Sequence, residues 1–311
     1  MAQRIDSTGE LAGQATVRPA FWDGRRKIAY GFVAPAFLTL LFLAIGPMIF
    51  MFFFSVHAWN LTVPAPARFV GLENFVKLVQ DARFWNAFSN TLILLVVGIV
   101  VQSLLGLGIA LLLREKFKFR SIVMALILIP VMIAPVVAGL NWKLIFNESF
   151  GPLNYLLGVI GVEGPLWLGS NKFWGLIAIL IVDAWQWTPF VALVLLAGLE
   201  AIPRQVYEAA DVDGASQFRV FFRITLPLLR PMFILVILLR SIFIFRIYDP
   251  VVILTGGGPG EATETLSLLT YNVGMKYLDI GYAMAMGVIQ IIFMTILANV
   301  FLKFTRSSVR S

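Results

Sequence analysis

Few residues in this 311-residue chain could do covalent chemistry. There is no cysteine, which excludes a disulfide framework and a thiolate metal site. The one histidine, His57, lies just past the first apolar run and reads as an interfacial residue, because acid–base or metal chemistry would need partners the sequence does not supply. No Ser–His arrangement, paired carboxylates or His-rich cluster marks a catalytic pocket. What stands out instead is charge where charge is costly. Asp183 lies inside one long apolar run, and Arg240, Arg246 and Asp249 lie inside another. Ionisable residues in such runs face a cavity or a partner. Arg246 and Asp249 are three apart and would share a face of a continuous helix. The group therefore reads either as an ion pair that fixes packing or as the lining of a polar path. Trp185, Gln186, Trp187 and Thr188 follow Asp183. A polyhydroxylated ligand needs hydrogen-bonding groups and flat apolar faces, and this quartet supplies both, although Trp185 and Trp187 serve equally well as packing residues.

The glycines at 256, 257, 258 and 260 do not form a phosphate loop, since no strand precedes them and no Gly-Lys-Ser/Thr follows. They read as a tight turn. No Walker-type loop occurs elsewhere, so any nucleotide that drives this protein is bound by another polypeptide.

The elements that position these residues are long apolar helices. The composition is 59% hydrophobic and 13% charged, with a mean hydropathy of +0.89, whereas a soluble domain is about half apolar and about a quarter charged. Six runs, at about 31–56, 88–113, 121–142, 173–199, 232–254 and 281–302, each reach the ~20 residues that cross a bilayer. The reading is an all-α membrane protein with six transmembrane helices. Prolines 35, 47, 130, 135 and 189 fall inside runs, where neighbouring helices can satisfy the freed carbonyls. The first run is too long for a signal-peptide core and follows a polar stretch; Val56-His57-Ala58 resembles a cleavage site only faintly, and a retained helix is expected. Lys and Arg are distributed unevenly about these runs. With the N-terminus inside, the inner segments (1–27, 114–120, 200–231 and the C-terminus) hold sixteen, and the outer segments (57–87, 143–172 and 255–280) hold six. That asymmetry predicts that both termini are cytoplasmic. The net charge of +7 follows from it and is no sign of nucleic-acid binding. Trp59, Trp85, Trp142 and Trp167 fall in or beside the outer segments as expected interfacial anchors.

The segment 200–231 is the one long inner loop. Pro203 suits the first turn of a helix, Val206, Ala209 and Ala210 would share a face of it, and Gly214 suits its left-handed end. Ser216 is placed to cap a second helix through Phe218, Phe221 and Phe222, which Pro227 and Pro231 would stop. The expected unit is a short helix, a glycine bend and another helix.

Glu208-Ala209-Ala210, then Gly214, then Ile224 and Leu226-Pro227 closely resembles the EAA motif of binding-protein-dependent ABC importer permeases. Residues 69–75, Phe84-Trp85-Asn86 with Asn90-Thr91, and residues 254–265 resemble the outer segments of carbohydrate-uptake permeases of the maltose, lactose and glycerol-phosphate type. The resemblance covers roughly 28–305, within the fold of a type I importer permease, and the motif order suits the first of two paired permeases. Residues 1–27 and 306–311 are left as cytoplasmic tails. The resemblance implies import of a sugar or sugar derivative across the inner membrane and no catalysis by this chain. The partners implied are a second permease, two ATP-binding subunits that hold ATP and Mg, and an outer solute-binding protein. It places Glu208, Ala209, Ala210, Asp213, Gly214, Leu226 and Pro227 at the coupling contact with the ATPase. It puts the sugar path near the fourth to sixth spans, where Asp183, Trp185, Gln186, Trp187, Arg240, Arg246 and Asp249 stand. Neutral and anionic sugars are not separated at this point. The alternative, an ion-gradient-driven secondary transporter, would carry internal repeats with matched polar interruptions, and none is evident.

Overall fold

The computed structural model describes residues 21–115 and 117–309. The chain divides into two compact units, residues 1–51 and 52–311. The described part of the first is helical and belongs to α1 (Phe21–Ser55). Of the expected irregular tail, residues 1–20 lie outside the described residues and Phe21–Lys27 are helix, since a nucleated helix extends at one hydrogen bond per residue. At the other end α14 continues to Val309, so the tail expected from 306 is also largely helical.

In the second unit a small antiparallel ribbon pairs β1 (His57–Ala58) with β2 (Arg68–Phe69). Then come α2 (Glu73–Gln80), α3 (Ala82–Arg114), α4 (Arg120–Met132), α5 (Pro135–Ile145), α6 (Pro152–Val159) and α7 (Lys172–Ala201). They are followed by α8 (Arg204–Val212), α9 (Gln217–Val220), a π turn at Phe221–Thr225, α10 (Leu226–Leu228) and α11 (Arg230–Phe245). Last are α12 (Asp249–Leu254), α13 (Leu266–Tyr271), a second π turn at Asn272–Lys276, and α14 (Ile280–Val309).

Four of these helices are long and apolar enough to cross a membrane, and two bent pairs raise the number to six. The bends are the main departure from six plain spans. The third run is two helices, α4 and α5, meeting at 96°. Pro135 lacks an N–H and pushes Ala134 into an extended conformation (ψ 136°), which halts the helix two residues earlier. The fifth run ends as regular helix at Phe245, and Arg246–Tyr248 are irregular before α12. The helix from Gln217 to Leu228 meets α11 at 57°.

The core is built on α3 against α7. Their backbones come close because α3 carries Gly98 and Gly106 on the contact side, and a Cβ at Gly106 would lie 2.6 Å from Val191 Cγ1. Small residues at such a crossing bring whole helices into van der Waals contact. One buried cluster includes Leu94, Ile179, Val182, Ile244, Phe245 and Met286, and a second includes Ala110, Leu113, Val191, Leu195, Leu199 and Leu229.

Side-chain contacts sort the connecting segments between the two ends of α3. At its C-terminal end, Arg120 pairs with Glu200, and the Arg114 guanidinium lies 4.3 Å from the Tyr207 ring centroid. At its N-terminal end, Arg83 pairs with Glu264 at 2.7 Å, Lys77 with Asp279 at 3.4 Å, and Lys172 donates to Asn86 at 3.0 Å. Segments 114–120 and 200–231 therefore share one end, and 57–87, 143–172 and 255–280 share the other. Trp167 is no exposed anchor; it is buried, and its Nε1 donates to Asn154 Oδ1 at 2.7 Å.

Candidate functional site

Three helices contribute to a buried polar network. Arg240 of α11 is fully buried. Its Nε donates to Gln102 Oε1 of α3 at 2.6 Å, and its Nη2 donates to Asp183 Oδ2 of α7 at 2.7 Å. Gln102 Nε2 donates to the same Asp183 oxygen at 2.6 Å. A buried charge pair offsets its desolvation only when hydrogen bonds satisfy its remaining atoms. Here the amide of Gln102 supplies a donor to one ion and an acceptor to the other. The guanidinium also lies 5.0 Å from the Trp187 ring centroid, and Trp187 stacks on Phe243 at 5.3 Å.

The network lines a cavity of about 270 Å³ whose wall includes Asp183, Gln186, Trp187, Arg240, Arg246 and Asp249. Six of the seven residues expected on a polar path thus meet around one space. Trp185 is the exception. It turns away, is 37% exposed, and sits against Trp142 at 5.7 Å. Residues 185 and 187 are two apart on a helix and point in different directions. Arg246 and Asp249 do not pair with each other, because the helix ends between them and the three-residue spacing no longer sets a common face. Gln186 has a second task. Its Nε2 donates at 2.7 Å to the carbonyl of Ile133 at the α4–α5 break, where that carbonyl has left the helix ladder. Gln102 was not singled out from sequence, although an amide inside the apolar run 88–113 is itself a signal of this kind.

The second candidate site is α8. Its end follows from local chemistry: Gly214 has φ +66°, its N–H donates to Asp211 O at 3.1 Å, and Ala215 N–H donates to Ala210 O at 3.0 Å. This is a Schellman ending, which satisfies the last carbonyls through a left-handed residue. Glu208, Ala209, Asp213 and Gly214 are exposed, and Val212 is 88% exposed. Ala210 is buried and packs inward, so Ala209 and Ala210 do not share a docking face. Tyr207 fastens the helix, with its hydroxyl 3.2 Å from Thr225 Oγ1 in the π turn. Ser216 occupies the N-cap of α9 without a side-chain capping bond. Pro227 does not stop the second helix, which passes through the π turn and α10 as far as Leu228. Leu226 is half-buried there and Pro227 exposed. Among the described residues no group of three or more His, Asp or Glu side chains is placed to hold a metal ion.

The chain is similar to a trehalose/maltose transport system permease protein, MalF, of Thermococcus litoralis, with 38% identity over 90% of this chain and 94% of the relative. It is 34% identical to a sulfoquinovosyl glycerol transport system permease protein, SmoG, of Agrobacterium fabrum, over 91% of this chain and 92% of the relative. The fold matches a crystal structure of a bacterial ABC transporter involved in the import of the acidic polysaccharide alginate, with a TM-score of 0.79 and 22% identity over 93% of this chain and 99% of that one. Residues 102–311 match the family described as binding-protein-dependent transport system inner membrane component. With two thirds of its length in that match, the chain belongs to the family of binding-protein-dependent transport system inner membrane components.

Proposed function

We propose that this chain is the permease subunit of an ABC importer that moves a sugar or sugar derivative across the inner membrane, powered by ATP hydrolysed on separate subunits. The observation that carries the reading is the cavity, where Asp183, Gln186, Arg240, Arg246 and Asp249 offer hydrogen-bonding groups beside the flat faces of Trp187 and Phe243. The names of the relatives support it, since one is a trehalose/maltose permease and another a sulfoquinovosyl glycerol permease. In this reading the positive charges place segments 114–120 and 200–231 in the cytoplasm, with both termini. The exposed residues Glu208, Ala209, Val212, Asp213 and Gly214 form the surface on which an ATP-binding subunit docks. A second permease completes the path, and a solute-binding protein delivers the sugar from outside.

In this reading the chain from α8 to α11 acts as a lever. Movement of α8 passes through the Tyr207–Thr225 contact into the helix of 217–228 and turns through 57° into α11, which carries Arg240. In this reading a push at α8 reaches the cavity wall through the helix of 217–228, the bend and α11. The test is uptake of trehalose or maltose by membrane vesicles holding the complete importer. Uptake is expected to persist when the ion gradient is collapsed with ATP present, and to stop when ATP is removed. Loss on collapse of the gradient alone would overturn the reading in favour of a secondary transporter.

A further inference from the structure

The four charged side chains of the cavity wall are not equivalent. Asp183 and Arg240 are bonded to each other and both buried. Arg246 and Asp249 are the remainder. Among the described residues neither side chain makes a hydrogen bond or an ion pair, with the other or with any neighbour. Both are accessible, Arg246 being exposed and Asp249 half-buried. Their place along the chain makes that state costly. α11 has 16 residues from Arg230 to Phe245, so Arg246 stands about 24 Å from its start, within the span of a hydrocarbon layer about 30 Å thick. Ionised groups at such depth face a water-filled cavity or a partner, not lipid, and these two line the cavity.

The two groups differ in what they can bond. A guanidinium only donates and a carboxylate only accepts, while a hydroxyl does either. A polyhydroxylated ring therefore satisfies both at once, with one hydroxyl oxygen accepting from Arg246 and another hydroxyl donating to Asp249. Hydrogen bonds in which one member is ionised are roughly twice as strong as neutral ones. The backbone keeps the ions from satisfying each other. α11 stops at Phe245 and α12 starts at Asp249, so each charge is presented from the end of a separate element. Two opposite charges held apart across one space are bridged by a ligand with two polar atoms. The cavity, at about 270 Å³, is close to the lower limit of ordinary ligand sites, about 300 Å³, and suits one sugar ring at a time.

We propose that Arg246 and Asp249 are the specificity-determining pair of this cavity: Arg246 donates to one hydroxyl oxygen of a sugar ring, and Asp249 accepts from another hydroxyl of the same ring. The inference rests on the sugar-importer reading and adds which groups of the sugar are read and by which residues.

The test uses the complete importer reconstituted in proteoliposomes, with trehalose and maltose as probes, followed by the monodeoxy and deoxyfluoro analogues of whichever is carried. Uptake of each analogue by a variant is divided by its uptake by the wild type, so that discrimination by the solute-binding protein cancels. Arg246→Met is expected to lower uptake of the parent sugar about tenfold, the scale of a hydrogen bond to a charged group, and to leave the analogue deoxygenated at one position at its wild-type rate. Asp249→Ala is expected to do the same at a different position. Fluorine accepts weakly and cannot donate. The deoxyfluoro sugar should therefore fall between the parent and the deoxy sugar in Arg246→Met, and match the deoxy sugar in Asp249→Ala. Arg246→Lys, which keeps a donor, should return the profile towards that of the wild type. Ratios that fall equally for every analogue would mark the pair as structural and overturn the proposal. So would unchanged ratios, or the same position singled out by both variants. Neither residue has a hydrogen-bond or ion-pair partner among the described residues, so both variants are expected to fold. Their failure to assemble with the second permease would assign the charges to that interface and overturn the proposal. In each of these cases the wild type still carries a probe and the sugar reading stands. A wild-type importer that carries no probe removes the sugar reading, and the proposal with it.

Discussion

The residue that most constrains this molecule is Asp183. It accepts from both Arg240 and Gln102 on one oxygen, so three helices converge on a single atom. Replacing one member of a buried ion pair costs about 3–5 kcal/mol, because the other charge is left without compensation. Asp183→Leu is therefore expected to lower the unfolding temperature of the purified protein sharply or to abolish its accumulation in the membrane. Asp183→Asn keeps an acceptor oxygen and should fall between. Thermal unfolding in detergent measures both, and equal stability of Asp183→Leu and the wild type would show that the network is dispensable to the fold. Asp183, Arg240, Gln186 and Trp187 were all legible in the sequence as polar or aromatic residues out of place in apolar runs. Their mutual arrangement was not, because it depends on how three helices separated by up to 138 positions rotate against one another. The pairing expected of Arg246 with Asp249 failed for a local reason, the end of α11 between them.

At the scale of elements, the helices were readable and their interruptions were not. Pro130 and Pro135 are plain in the third run, yet whether a proline is absorbed or breaks a helix depends on what meets the freed carbonyl. In α7 the helix continues through Pro189. Between α4 and α5 it breaks, and the Ile133 carbonyl receives a side chain from 53 residues away, Gln186. The α8 ending, by contrast, is chain-local and was predictable from Gly214. At φ +66° a β-branched side chain is strained by roughly 1–3 kcal/mol, while Asn tolerates the conformation far better. Gly214→Val is expected to reduce uptake at least tenfold with the chain still in the membrane, and Gly214→Asn to retain most of it. Similar uptake by the two variants would argue against the bend as the working feature. The α3–α7 crossing makes a different demand. At Gly106 even a Cβ would overlap Val191, and overpacking a dense interface costs about 1–3 kcal/mol or more. Gly106→Leu should therefore reduce folded protein, whereas Gly108→Leu, where a Cβ meets nothing within 4 Å, should not. Expression levels of the two variants, side by side, decide it.

For the whole molecule the question is which end faces the cytoplasm. The grouping of segments follows from contacts: Arg120 with Glu200 at one end, Arg83 with Glu264 at the other. The assignment of sides rests on charge, since cationic loops resist export across an energised membrane. The chain contains no cysteine, so a single introduced thiol reports its own exposure without a background. Val212 is 88% exposed at the tip of α8, and Ala65 is exposed in the segment between β1 and β2. Val212→Cys is expected to resist a membrane-impermeant maleimide in intact spheroplasts and to react in inside-out vesicles stripped of peripheral proteins. Ala65→Cys should do the reverse. Restoring the ATP-binding subunits to the stripped vesicles should then slow labelling at Val212→Cys, because a surface that docks a partner becomes buried against it, while a merely solvated helix keeps its reactivity. Labelling of Val212→Cys from outside would invert the topology and remove the basis for coupling through α8. Labelling from inside that the ATP-binding subunits leave unchanged would keep the topology and move the docking surface elsewhere on the segment, with the exposed Phe218 and Phe222 the next apolar residues along it.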